Sequence, residues 1–153
     1  MSFQSFEEII NFAIDKEREA VAFYEDAAKQ ETYSGAKKAF LEFAQEERKH
    51  EALLQGILKG ETKLTEYKFK WIPDIKRSNY MEDITYKKGM SYPDMLRLAM
   101  KREEKALQLY NDLASKADKE EITKIFKMLS QEEAKHKLAL ETLYDDHMAK
   151  LGD

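Results

Sequence analysis

Apolar residues recur at intervals of three and four in four separate stretches, the period of a helix with one buried face. The first stripe is Ile10, Ala13, Ile14, Ala20, Val21, Tyr24, Ala27 and Ala28, and the second is Phe40, Phe43, Ala44, Leu54, Ile57 and Leu58. The third is Leu96, Ala99, Met100, Ala106, Leu107, Tyr110 and Leu113, and the fourth is framed by Phe126, Leu129, Leu140 and Leu143. Local signals bound these segments. Ser5 with Glu8 forms a capping box, and Thr32 to Gly35 separates the first helix from the second. Gly60 is a stop for the second helix, and Ser91 followed by Pro93 and Asp94 starts the third. Asp118 with Glu121 starts the fourth. Each helix is then about 25 residues, or about 38 Å, long.

The stretch 60–91, with Trp71, Pro73 and several tyrosines, is too long for a simple turn in a compact domain. A crossover running the length of a helical bundle explains it. A swap of hairpins between two chains would use the same linker.

The two halves of the chain repeat each other at an offset of 86 residues, from Ala13 to Ala99. Ala13 to Ala20, followed by Tyr24, matches Ala99 to Ala106, followed by Tyr110. The same offset takes Phe40 to Phe126, Gln45-Glu46-Glu47 to Gln131-Glu132-Glu133, and His50 to His136. Each half is one helix–turn–helix unit.

Every stripe is broken near its middle by a polar residue. Glu17 and Glu103 fill the missing step on the first and third helices, and Glu47 with His50 and Glu133 with His136 do so on the second and fourth. Residues three apart share a helical face, so each Glu-x-x-His pair can address one centre. Four carboxylates buried without compensation would cost many kcal/mol or take up protons. Two divalent cations balance them and leave the imidazoles as neutral ligands. One Glu from each of two helices and a Glu-x-x-His from each of the others is the pattern of di-iron and di-manganese carboxylate bundles. A single Glu-x-x-His carries little weight in a chain this rich in glutamate. Two of the three histidines having that partner, at repeat-related positions, carry much more.

Composition narrows the chemistry. The chain has no cysteine, which removes disulfides, thiolate catalysis, zinc ribbons, iron–sulfur clusters and rubredoxin-type iron. Iron here must sit on oxygen and nitrogen, and electrons must come from another molecule. The net charge of -4, with both signs interleaved, lacks the clustered basic face of a nucleic-acid binder. The tyrosine-rich linker interleaves aromatic with basic residues, which a covering crossover accounts for. No apolar run is long enough for a membrane span and no leader pattern opens the chain, so a cytoplasmic protein is expected.

Other polar residues rank lower. Tyr24 and Tyr110 read equally well as hydrogen-bond donors behind the glutamates or as core aromatics with a polar end. Glu51 lies beside the second stripe, but its repeat counterpart is Lys137, which favours the surface. Asp26, Asp112 and His147 are expected in solvent.

The motifs Glu17-x-x-Ala20-x-x-x-Tyr24, Glu47-x-x-His50, Glu103-x-x-Ala106-x-x-x-Tyr110 and Glu133-x-x-His136 resemble those of the rubrerythrin branch of the ferritin-like proteins. The resemblance implies an all-α, ferritin-like four-helix bundle of two repeated hairpins, one domain over 1–153 with a crossover at 60–91. It implies Glu17 and Glu103 as terminal carboxylates, Glu47 and Glu133 as bridges, and His50 and His136 completing one ion each. The cofactor would be two iron ions, with manganese or zinc as other occupants of the same ligands. The implied activity is a non-haem di-iron oxidoreductase of oxidative-stress defence, reducing hydrogen peroxide or oxygen. An external donor such as a rubredoxin-like protein would supply electrons, and the protein would be a homo-oligomer, a dimer. Two other readings stand beside it: ferritin-like ferrous oxidation and iron handling, or a metal-stabilised helical interaction protein. Two features depart from rubrerythrins. The cysteine-held rubredoxin-like domain is missing, and Ala106 stands where those proteins carry an additional glutamate about one turn after the third-helix ligand.

Overall fold

The computed structural model describes residues 6–30, 34–60, 87, 89–117 and 119–151. All regular structure among them is helical: α1 (Phe6–Gln30), α2 (Ser34–Lys59), α3 (Tyr92–Lys116) and α4 (Glu120–Leu151). The chain divides into two compact units, Met1–Thr65 and Glu66–Asp153, each holding one hairpin. Among the described residues no helix is long and apolar enough to cross a membrane.

In the first unit α1 packs against α2. Glu25 pairs with Arg48 at 2.7 Å and Arg18 with Glu51 at 3.4 Å, so numbers rise along one helix as they fall along the other. The hairpin is antiparallel. Its apolar face buries Ile10, Ala13, Ile14, Tyr24, Ala27, Phe40, Ala44 and Leu54. Tyr24 lies parallel to Phe40 with ring centroids 6.1 Å apart and meets Phe43 edge-on at 5.4 Å. Leu58 departs from the expected stripe, being 37 % exposed in the last turn of α2.

The second unit repeats the arrangement. Tyr110 lies parallel to Phe126 at 6.2 Å, the counterpart of the Tyr24–Phe40 pair. Ser130 donates a 2.7 Å hydrogen bond to Asn111 Oδ1. Toward the start of α3, Arg97 donates to the Tyr144 hydroxyl from Nε (3.2 Å) and Nη2 (2.9 Å), and to Asp94 from Nη1 (2.7 Å). The bond to Tyr144, with help from Asp94, holds the Arg97 guanidinium above its usual pKa despite partial desolvation.

The helix ends follow from particular residues. Ser91 caps α3, its Oγ accepting from Asp94 N at 3.3 Å, with a proline in the first turn. Gly60 ends α2 at φ 71°, a left-handed geometry that favours glycine, and its N–H donates to Ile57 O at 3.1 Å. The fourth helix is longer than expected, at 32 residues against 25 or 26 for the others. Its start lies one repeat after that of α2, but the position matching Gly60 is Asp146, so nothing stops the helix there. Ser5, Asp118 and most of the 60–91 crossover fall outside the described residues.

Candidate metal centre

Each hairpin brings a carboxylate on its first helix against a Glu-x-x-His on its second. In α1 and α2, Glu17, Glu47 and His50 are 2 %, 1 % and 7 % exposed. His50 Nδ1 lies 3.7 Å from Glu17 Oε1 and 3.8 Å from Glu47 Oε1. In α3 and α4, Glu103, Glu133 and His136 are equally buried, with His136 Nδ1 3.5 Å from Glu103 Oε1 and 4.0 Å from Glu133 Oε2. Within each triad one ligand atom per residue lies within 4.8 Å of the others.

The cause is local. A helix buries whatever occupies the 3-and-4 stripe, and the flanking apolar residues force the polar insertion inward with them. Ala13 and Ile14 precede Glu17, Ala44 precedes Glu47, and Leu54 follows His50. Ala99 and Met100 precede Glu103, while Leu129 and Leu140 bracket Glu133 and His136.

This donor set fits a divalent cation. Two ligand atoms each about 2.1 Å from one ion lie roughly 3–4 Å apart, the range seen between imidazole and carboxylate atoms in both triads. Each triad carries two carboxylates and one imidazole, so one divalent ion neutralises it. Mixed oxygen and nitrogen donors without thiolate suit iron, manganese or zinc.

The remaining polar residues sort differently from expectation. Asp112 is exposed, whereas Asp26 is half-buried and accepts from Gln30 Nε2 at 3.1 Å. His147 is half-buried too, meeting Tyr92 edge-on at 5.0 Å. Tyr24 and Tyr110 are buried to 1 % exposure in the aromatic clusters. Glu51 lies at the edge of the surface, half-buried: its side chain is 23 % exposed and accepts from Gln55 Nε2 at 2.9 Å. Its counterpart Lys137 is 3 % exposed and faces Glu141, 0 % exposed, at 3.5 Å. Sequence reasoning missed this buried pair. The available signal was spacing, because Glu133, Lys137 and Glu141 follow one another at intervals of four on one face of α4.

Solved structures place the fold in a known class. A hypothetical protein of Pyrococcus furiosus is 26 % identical, with TM-score 0.69 over 93 % of this chain and 89 % of that one. A Thermotoga maritima protein described as a ferritin-like diiron-carboxylate protein is 23 % identical, with TM-score 0.69 over 91 % and 93 %. Among curated proteins, none matches. The fold is therefore that of the all-α, ferritin-like four-helix proteins. The rubrerythrin family model matches residues 8–144, spanning both hairpins and both triads, and the chain belongs to the rubrerythrin family.

Proposed function

We propose that the two triads together hold two iron ions and that the loaded protein reduces hydrogen peroxide, or oxygen, with electrons from an external donor. The observation that carries this reading is the repetition of a buried Glu plus Glu-x-x-His triad in a chain of the rubrerythrin family. A di-ferrous pair supplies two electrons at once, enough to take one hydrogen peroxide and two protons to two waters. By resemblance to the family, Glu17 and Glu103 would act as terminal carboxylates, Glu47 and Glu133 as bridges, and His50 and His136 as the nitrogen ligand of each ion.

Four carboxylates match the charge of two ferrous ions and stabilise their ferric products. The histidines would supply one nitrogen ligand to each ion, tying it to α2 or α4. Burial of all six side chains restricts water at the ligands and preserves the strength of every charge interaction there. Re-reduction is assigned to an external donor, such as a rubredoxin-like protein.

The test is anaerobic. Di-ferrous protein mixed with peroxide should oxidise at one peroxide per pair of irons and turn over once a reductant is supplied. Peroxide loss no faster than with Glu47→Ala protein refutes the reading. Oxidation of many ferrous ions per chain would instead assign iron handling.

A further inference from the structure

The residues surrounding the two triads do not repeat, although the triads do. Beyond His50 the next residue is Glu51, one helical turn from Glu47 on the same face of α2 and partly open to solvent. Gln55 orients its carboxylate at 2.9 Å, and Arg18, next to Glu17 in α1, approaches it at 3.4 Å with 57 % of its own side chain exposed. A pair that exposed is weakly held and opens at little cost.

One repeat later every one of these positions is changed. Lys137 stands for Glu51, Glu141 for Gln55, and Glu104 for Arg18. Lys137 and Glu141 are sealed from water 3.5 Å apart, and Glu104 is tied to Lys101 at 3.0 Å with both side chains mostly buried. A buried pair of this kind is costly to open, and with Lys137 matched by Glu141 it presents no net negative charge to draw a cation, as Glu51 does in the first unit.

We propose that the two triads load unequally: the first takes its divalent cation from solvent past Glu51, with Arg18 as a movable cover, while the second is closed behind Lys137 and Glu141. This inference rests on the proposed binding of one ion per triad. Glu51 is a residue of cation entry and not a ligand, so its loss changes the rate of loading and leaves the capacity intact. Removing a focusing carboxylate from an entry route slows cation arrival by about tenfold, the lower end of electrostatic steering effects.

The experiment mixes metal-free full-length protein with Co²⁺ and follows the cobalt absorbance in a stopped-flow instrument. Wild-type protein loads in two phases, with the fast phase lost in His50→Ala and the slow phase lost in His136→Ala. Glu51→Gln slows the fast phase about tenfold, leaves the slow phase alone and retains the wild-type cobalt capacity. Glu42→Gln, an exposed carboxylate elsewhere on α2, changes neither phase and separates a local entry effect from general attraction. Single-phase loading, a fast phase that survives His50→Ala, or wild-type rates in Glu51→Gln overturns the proposal. Failure to bind any Co²⁺ overturns the metal reading itself, and is seen before any rate is compared.

Discussion

Replacing Glu103 with glutamine should make the metal-free protein more stable while weakening its metal-dependent stabilisation. The ligand atoms of Glu103 and Glu133 lie within 4.8 Å of one another. Two unit charges at that distance repel by about 3.5 kcal/mol at an effective dielectric constant of about 20. Escape by protonation at neutral pH costs a similar amount, about 3.7 kcal/mol from the ordinary glutamate pKa. Glutamine keeps the shape and removes the repulsion, at a cost of about 1–2 kcal/mol for an imperfectly bonded buried amide. The net gain is about 2 kcal/mol, which for a chain of this size raises Tm by roughly 4–8 °C. Metal reverses the order. Wild-type protein gains about 2.7 kcal/mol for each ion present at 100 times its Kd, and the variant loses most of that gain for the ion of its own half. Thermal melts of chelator-treated and Mn²⁺-loaded protein, run side by side, read both effects. A Glu103→Gln protein that melts below wild type without metal and keeps the full metal-dependent rise would refute the reasoning.

Three further outcomes are expected. Glu141→Ala, which removes the acidic partner of buried Lys137, should cost about 3–5 kcal/mol in denaturant unfolding, whereas joint replacement of Lys137 by Met and Glu141 by Leu should cost far less. Tyr110→Ala should lose about 3–5 kcal/mol by opening a cavity beside Phe126, and Tyr110→Phe much less; equal losses would place the weight on the hydroxyl instead of the ring. Arg97→Ala should lower stability by about 1–3 kcal/mol through its bonds to Tyr144 and Asp94, with metal stoichiometry unchanged by elemental analysis.

The six triad residues were legible because each interrupts an apolar stripe at a step where the helix must turn inward. The repeat then made one half a check on the other. Gly60 and Ser91 were equally plain, since a left-handed stop and a side-chain cap are local chemistry. Less visible was anything set by the partner helix. Glu51 read as a surface residue because its counterpart is a lysine, a type rarely buried alone, yet Lys137 is itself buried facing the i+4 acid Glu141. His147 read as solvated because its contact with Tyr92 joins residues far apart in the chain. Leu58 fits the period of α2 yet is 37 % exposed in its last turn, because period alone does not say how far the partner helix covers a stripe. The length of α4 was misjudged by carrying the repeat past its last shared signal, since Asp146 does not do what Gly60 does.

The central proposal is that the six triad residues bind a pair of iron ions. Iron analysis combined with Mössbauer and electron paramagnetic resonance spectroscopy of the oxidised protein tests it most directly. Two irons per chain should be found, coupled into a pair with no resonance from isolated ferric ions, and both should be lost together in Glu47→Ala/Glu133→Ala protein. A single iron per chain, or two ferric ions with independent signals, would contradict the account.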